Sequence, residues 1–319
     1  MFNLKTLFFV IAFELFSNAN AMDIKVIQND LIMSGDVVSG DIEKFERVLF
    51  ENPSIDTVVL RNSHGGDIES GYRIGEMIRT KGLSTALSGY CISSCSRMFL
   101  GGKQRRFTDD YKPDKTFVGF HGHYDSKGNI NRSEVYSRSL YDWIIKYSDG
   151  KADKELVKRW VDIYRNTGMV AFMHPSANNS QSSKAFFCQG NEQKRPVSCE
   201  PLEVDAFMLG VITDTTIVQS ADKAELLARR QVIAVDSGYA TIDDLQKVPL
   251  DSVAGMDNYR KFLQSDEPKA FAVAKNKKHW AWNSGVDDAR ELALKRCEDR
   301  SGQKCILYAV DGTVVYQEP

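Results

Sequence analysis

Three observations in the 319-residue sequence predict an α/β fold with a mainly parallel sheet and a small C-terminal α+β unit. Short β-branched runs alternate with runs of helical period between residues 55 and 120, and glycine pairs mark the switches between them. A second strand–helix–strand pattern begins near residue 268, after a stretch of weaker patterning. Alternation of the first kind is what a parallel sheet with crossover helices requires.

Each element follows from its own residues. Residues 23–27 and 31–33 read as strands, with Gly35 and Gly40 as breaks. Ile42, Phe45, Val48 and Leu49 share one face of a helix over 42–50, which Asn52-Pro53 ends. Residues 55–60 form a strongly β-branched strand. After Asn62-Ser63-His64-Gly65-Gly66, a helix carries Ile68, Tyr72, Gly75 and Ile78 on one face and closes at Lys81-Gly82. A strand over 84–88, a helix from Ser93 to Gly101-Gly102 and a strand over 116–120 follow. Residues 134–169 are mostly helical in period, 174–200 polar and irregular, 204–209 a final helix and 211–212 a short strand. Residues 215–267 read as a connector. In 268–319, strands at 271–273, 305–309 and 314–316 surround a helix over 287–297.

Composition narrows the function classes. Hydrophobic residues make up 42% and charged residues 26%, and the formal net charge is −2. That balance gives no reason to expect nucleic acid or an anionic membrane as partner. Lys5, the apolar run 7–16 and Ala19-Asn20-Ala21 read as a leader over 1–21, cleaved after Ala21. Glu14 interrupts the apolar run, and the rival reading is a short anchor, but the run is far shorter than the ~20 residues that a span needs. No later stretch is long and apolar enough to cross a membrane, so the mature chain is expected to be periplasmic or secreted. Six cysteines fall into close pairs, Cys91/Cys95, Cys188/Cys199 and Cys297/Cys305, which suits disulfides in an oxidising compartment. The rival is a zinc site, which wants two tight Cys/His pairs near each other, and no C-x-x-C occurs. No metal and no cofactor are expected.

Two segments carry chemistry. The first is the Asn62–Gly66 turn, where glycine lets backbone N–H groups point into a pocket. The second runs from Gly89 to Gly102 and places Ser93 at a helix start, where unpaired N–H groups favour negative charge. Together they offer a nucleophile and oxyanion donors, and a histidine that follows on a neighbouring strand can take the serine proton.

Asn62-Ser63-His64-Gly65-Gly66 resembles the N-S-P-G-G turn of the Clp protease proteolytic subunit, in the Clp-protease/crotonase superfamily. Gly89–Gly102 is similar, without a gap, to that family's nucleophile segment. Phe120-His121-Gly122-His123 resembles its catalytic-histidine strand, and 203–212 its closing helix and strand, with Gly210 as the glycine. The resemblance spans about residues 24–214. It implies a crotonase-like spiral sheet with outer helices, Ser93 as nucleophile, His121 as general base and the N–H groups of Gly66 and Ser94 as oxyanion hole. It also implies a peptide or protein substrate and a homo-oligomer, since the family assembles into rings. The Cys91-x-Ser93-x-Cys95 bracket departs from the protease and resembles a branch of exported bacterial Clp-protease-like proteins. No acid aligns with the family's third residue, which falls near Ser198. Glu192, Glu200 and Asp205 are neighbouring candidates, and a Ser93–His121 dyad or an amide partner stays open. No P-loop motif occurs, and no unfoldase partner is expected.

The plainer readings stand beside these. Ser93 alone would be an N-cap, with Ser94 and Ser96 as neighbours, and His123 is the reserve base on the same strand face. His64 stands where the family has proline and could line a substrate channel. His174 reads as a loop residue, Lys103–Arg106 as a solvated basic turn, and Trp280-x-Trp282 as packing. The 268–319 unit loosely resembles cysteine-containing C-terminal domains of exported proteins, an accessory module or a stapled cap. The expectation is therefore a leader over 1–21, a hydrolase domain over 22–214, a connector over 215–267 and an accessory domain over 268–319. The expected function is an exported serine hydrolase, a peptidase acting through a Ser93 acyl-enzyme with His121 as general base, with a catalytically decayed binding or scaffold protein as the alternative. An acyl-thioester enzyme of the crotonase branch is the further rival.

Overall fold

A computed structural model describes residues 21–125, 127–132, 139–177, 182–192, 198–224, 234–265, 267–284 and 289–317. The expected leader and the start of the expected 134–169 helical region lie outside them. Within them the architecture is α/β, with one large mixed sheet and a second, four-stranded sheet at the C-terminal end.

The large sheet grows from its buried centre. Strand β3 (Thr57–Ser63) buries Val58, Val59 and Leu60, and lies between β2 (Asp30–Ser34) and β4 (Ser84–Ile92), parallel to both. Strand β1 (Asp23–Ile27) pairs antiparallel with β2 at one edge. The first half of β4 pairs with β5 (Arg105–Phe107), and its last residues pair with β6 (Phe117–Phe120), both parallel. The change of partner falls at Gly89, which has φ +77°, beside a register shift between Arg61 and Ser63 on β3. Strand β4 therefore runs on past residue 88, where sequence periodicity ends it. Strands β7 (Met169–Met173), β8 (Lys184–Cys188) and β9 (Glu200–Asp205) then add antiparallel to β6. The sheet is thus parallel only at its centre and antiparallel on both flanks, which corrects the mainly parallel expectation. The connections over 174–183 and 189–199 are shorter than a crossover needs.

Helices α1 (Asp41–Glu51), α2 (Ile68–Thr80), α3 (Ser94–Gly101), α4 (Leu140–Tyr147) and α5 (Lys154–Val161) cover the sheet. Helix α2 starts at Asp67, whose carboxylate accepts from Ser70 N at 2.8 Å. It buries Tyr72, Ile74 and Ile78. It lies close on α3 because Gly75 meets the backbone there: a Cβ at Gly75 would sit 2.7 Å from Arg97 O. Helix α3 is buried throughout.

Cys188–Cys199 ties β8 to β9 with Cα atoms 4.8 Å apart, so the irregular 174–200 region contains a stapled hairpin. The expected 204–209 helix is instead the end of β9 and a turn, because Lys184 and Ala185 hold the strand in the ladder.

The smaller sheet is ordered β11 (Trp280–Ser284), β10 (Lys269–Ala274), β12 (Cys305–Val310), β13 (Thr313–Val314). Helices α6 (Val253–Leu263) and α7 (Ala289–Ser301) complete this unit, and Cys297–Cys305 joins α7 to β12. Tyr259 and Phe262 of α6 pack with Phe271, Val273 and Tyr308, as do Tyr239, Ile242 and Leu245. Much of the 215–267 segment thus belongs to the packing of the small unit. Trp280 stacks on Phe271 and Trp282 meets Phe262 edge-on, which is a packing role.

Among the described residues no helix is long and apolar enough to cross a membrane, and no cluster of three metal-ligating side chains occurs.

Candidate active site

Ser93 and His121 each stand one residue past the end of a strand, on β4 and β6, which pair in parallel with Ile92 opposite Gly119. Carboxyl ends of neighbouring parallel strands are where α/β sheets place their sites. Ser93 N donates to Gly119 O at 3.1 Å, which ties the two ends together. Ser93 has φ +58° and ψ −125° and makes no side-chain cap bond to α3. A non-glycine residue in this left-handed half of backbone space carries about 1–3 kcal/mol of strain, so its surroundings must hold it there. The Cys91–Cys95 disulfide brackets it, with Cα atoms 5.3 Å apart and both cysteines fully buried.

The glycine turn lies against this serine. Gly65 has φ +90°, and a Cβ there would sit 2.6 Å from both Ile92 O and Ser93 Cβ. Gly65 O accepts from Val37 N at 2.8 Å, and Asp67 N donates to Val37 O at 2.9 Å. Between them Gly66 N–H donates to no protein acceptor among the described residues. Ser94 opens α3, where an N–H has no partner within the helix. The Ser94 hydroxyl is buried without a partner, so the residue offers its backbone and not its side chain.

His121 Nδ1 lies 2.8 Å from Gly122 O. A carbonyl only accepts, so Nδ1 carries the proton and Nε2 holds the free lone pair. Burial, with Arg97 nearby, lowers its pKa to about 4 against a smaller opposing effect of the Gly122 bond. Arg97 is itself 1% exposed, donates to His121 O at 3.4 Å and stacks over Tyr72. Among the described residues no hydrogen bond joins Ser93 Oγ to His121. His123 is directed elsewhere, with Nε2 3.1 Å from Tyr72 Oη.

The acids near the expected third position are engaged away from this imidazole. Glu200 pairs with Arg159, Asp205 caps the turn at Met208 N, and Glu192 accepts from the backbone of Gln189 and Gly190. The acceptor at Nδ1 is a main-chain oxygen, which no side-chain pattern reveals.

The reading of residues 103–106 as a solvated turn changes at Arg105. Arg105, within the supposed solvated turn, is fully buried and donates to the carbonyls of Gly102, Val211 and Gly210. His174 is buried and bonds Thr108 O. Arg61, next to the glycine turn, is buried between Asp110 and Asp222 at 2.7 and 2.6 Å. His64 is exposed, its ring 4.7 Å from that of Tyr90.

No protein-family model and no curated protein matches the sequence. Among solved structures, ClpP1 from Listeria monocytogenes is similar, with 17% identity over 60% of this chain and 92% of that one, at a TM-score of 0.39. A membrane-bound stomatin-specific protease shares 12% identity over 63% of this chain and 83% of that one, at 0.36. The catalytic domain of the ClpP protease from Plasmodium falciparum shares 14% over 46% of this chain and 76% of that one, at 0.34.

Proposed function

We propose that this chain is an exported serine hydrolase that cleaves peptide bonds through a Ser93 acyl-enzyme. The observation that carries this reading is the meeting of three elements: a strained serine at the end of β4, a glycine turn against it and a histidine at the end of β6. Ser93 Oγ attacks the scissile carbonyl carbon while its proton passes to His121 Nε2. The oxyanion is held by the N–H groups of Gly66 and Ser94. His121 then gives the proton to the departing amine, and water releases the acyl group by the same steps. Gly122 O does what a triad carboxylate does for orientation, fixing the tautomer without adding charge. Three disulfides suit the exported setting.

A second reading, a binding or scaffold protein that keeps the fold without turnover, is favoured by two observations. Ser93 and His121 are not hydrogen-bonded, and an imidazole lowered to about 4 is a weak base at neutral pH. The two readings separate on a mixture of unstructured peptides incubated with oxidised protein. Cleavage that is abolished in Ser93→Ala and reduced at least about a hundredfold in His121→Ala supports the hydrolase. Intact peptides that bind the wild type, with no cleavage, support the binding protein.

A further inference from the structure

The small C-terminal unit touches the large one at a telling place. Tyr111, which follows β5, is 5% exposed and packs with Ala270, Ala272 and Ala281 of the small sheet and with Ala293 of α7. Its hydroxyl accepts from Asn62 Nδ2 at 2.6 Å. Asn62 has φ +47° and begins the glycine turn. Tyr90 packs on the same cluster and carries the His64 ring on its other side. From the second edge, α7 brings Lys295 close to Gly35, within 3.9 Å of where a Cβ there would lie. Asp36 Oδ1 accepts from His64 N at 3.2 Å, one residue before Gly65.

We infer that the C-terminal unit is a brace for the glycine turn. Tyr111, through Asn62, is a positioning residue that holds the Gly66 N–H in line with Ser93. The inference deepens the hydrolase reading and rests on it for its catalytic meaning, while the mechanical claim stands by itself. The turn has few anchors of its own. Its amides bond Asp36 Oδ1 at His64, Ser63 Oγ at Gly65 and Val37 O at Asp67. A separately folded binding module would not insert a tyrosine from the large unit into its own apolar cluster.

The test uses the full chain with Tyr111→Phe and the control Val314→Ala, which thins the small sheet at β13 without a contact to the turn. Hydrogen–deuterium exchange is followed in a peptide containing 62–67, alongside the rate at which a fluorophosphonate labels Ser93. Tyr111→Phe keeps the ring and removes the hydroxyl that accepts from Asn62, a loss worth about fivefold in local opening. The brace predicts exchange about fivefold faster in that peptide for Tyr111→Phe, labelling slowed to match, and neither changed in Val314→Ala. Unchanged exchange in Tyr111→Phe overturns it, whatever the labelling does. Equal acceleration in Val314→Ala also overturns it, because the unit would then act only through general stability. If exchange accelerates while even the wild type fails to label, the brace holds and the hydrolase reading falls.

Discussion

Replacing Cys91 and Cys95 together by alanine separates stability from site geometry. The bridge closes a loop of only about five residues, so the chain-entropy relation gives about 2 kcal/mol of unfolded-state restraint. In a domain of this size that is a loss of roughly 4–8 °C in melting temperature. The larger effect falls on Ser93. Its φ of +58° carries about 1–3 kcal/mol of strain, and without the bracket the turn can relax before unfolding does. If that strain is released, the fraction of molecules with Ser93 in the reactive conformation drops by about 5- to 150-fold. The assay is the second-order rate of fluorophosphonate labelling at 20 °C, far below the melting range, beside a thermal melt. Labelling should fall at least about fivefold while the variant remains folded. A folded double variant that labels at the wild-type rate would refute the idea that the bridge sets the serine's backbone.

Gly65→Ala puts a Cβ 2.6 Å from Ile92 O and Ser93 Cβ, so peptide cleavage should be lost and the melting temperature should fall by roughly 5–15 °C. His121 has its pKa lowered from 6.5 to about 4, so the folded protein favours the neutral ring. Its contribution to stability is complete above pH 6.5 and is lost as the pH falls from there toward 4, because the unfolded chain binds the proton first. A melting series over pH 4–8 should show that slope, reduced in His121→Gln. Asp222→Asn strips one partner from buried Arg61 and should cost about 3–5 kcal/mol, read in urea unfolding, because it leaves the guanidinium undercompensated.

The place of the candidate site was legible where residues carry a local signal. Ser93, the Gly65-Gly66 turn and His121 show a helix start, a glycine pair and a strand end; the serine lies against the turn, and the histidine follows the neighbouring strand. The cysteine pairs were legible because close spacing limits the partners a cysteine can reach, and all three are bonded as paired. The oxygen that orients His121 was not legible, since a main-chain carbonyl has no residue type. Arg105 reads as a surface residue because composition cannot show three carbonyls converging on it. The 204–209 segment has helical spacing, yet pairing with β8 decides its state, a case of tertiary context overriding local pattern. The antiparallel flank was hidden because strand direction depends on connections, not on the strands themselves.

The central claim is that Ser93 is an activated nucleophile. The most direct measurement is to treat oxidised protein with a fluorophosphonate and locate the adduct by peptide mass spectrometry. A single adduct on Ser93, blocked by prior heat denaturation and slowed by His121→Ala, is the predicted result. An adduct on Ser94 or Ser96, or none on folded protein with its three disulfides intact, would contradict it.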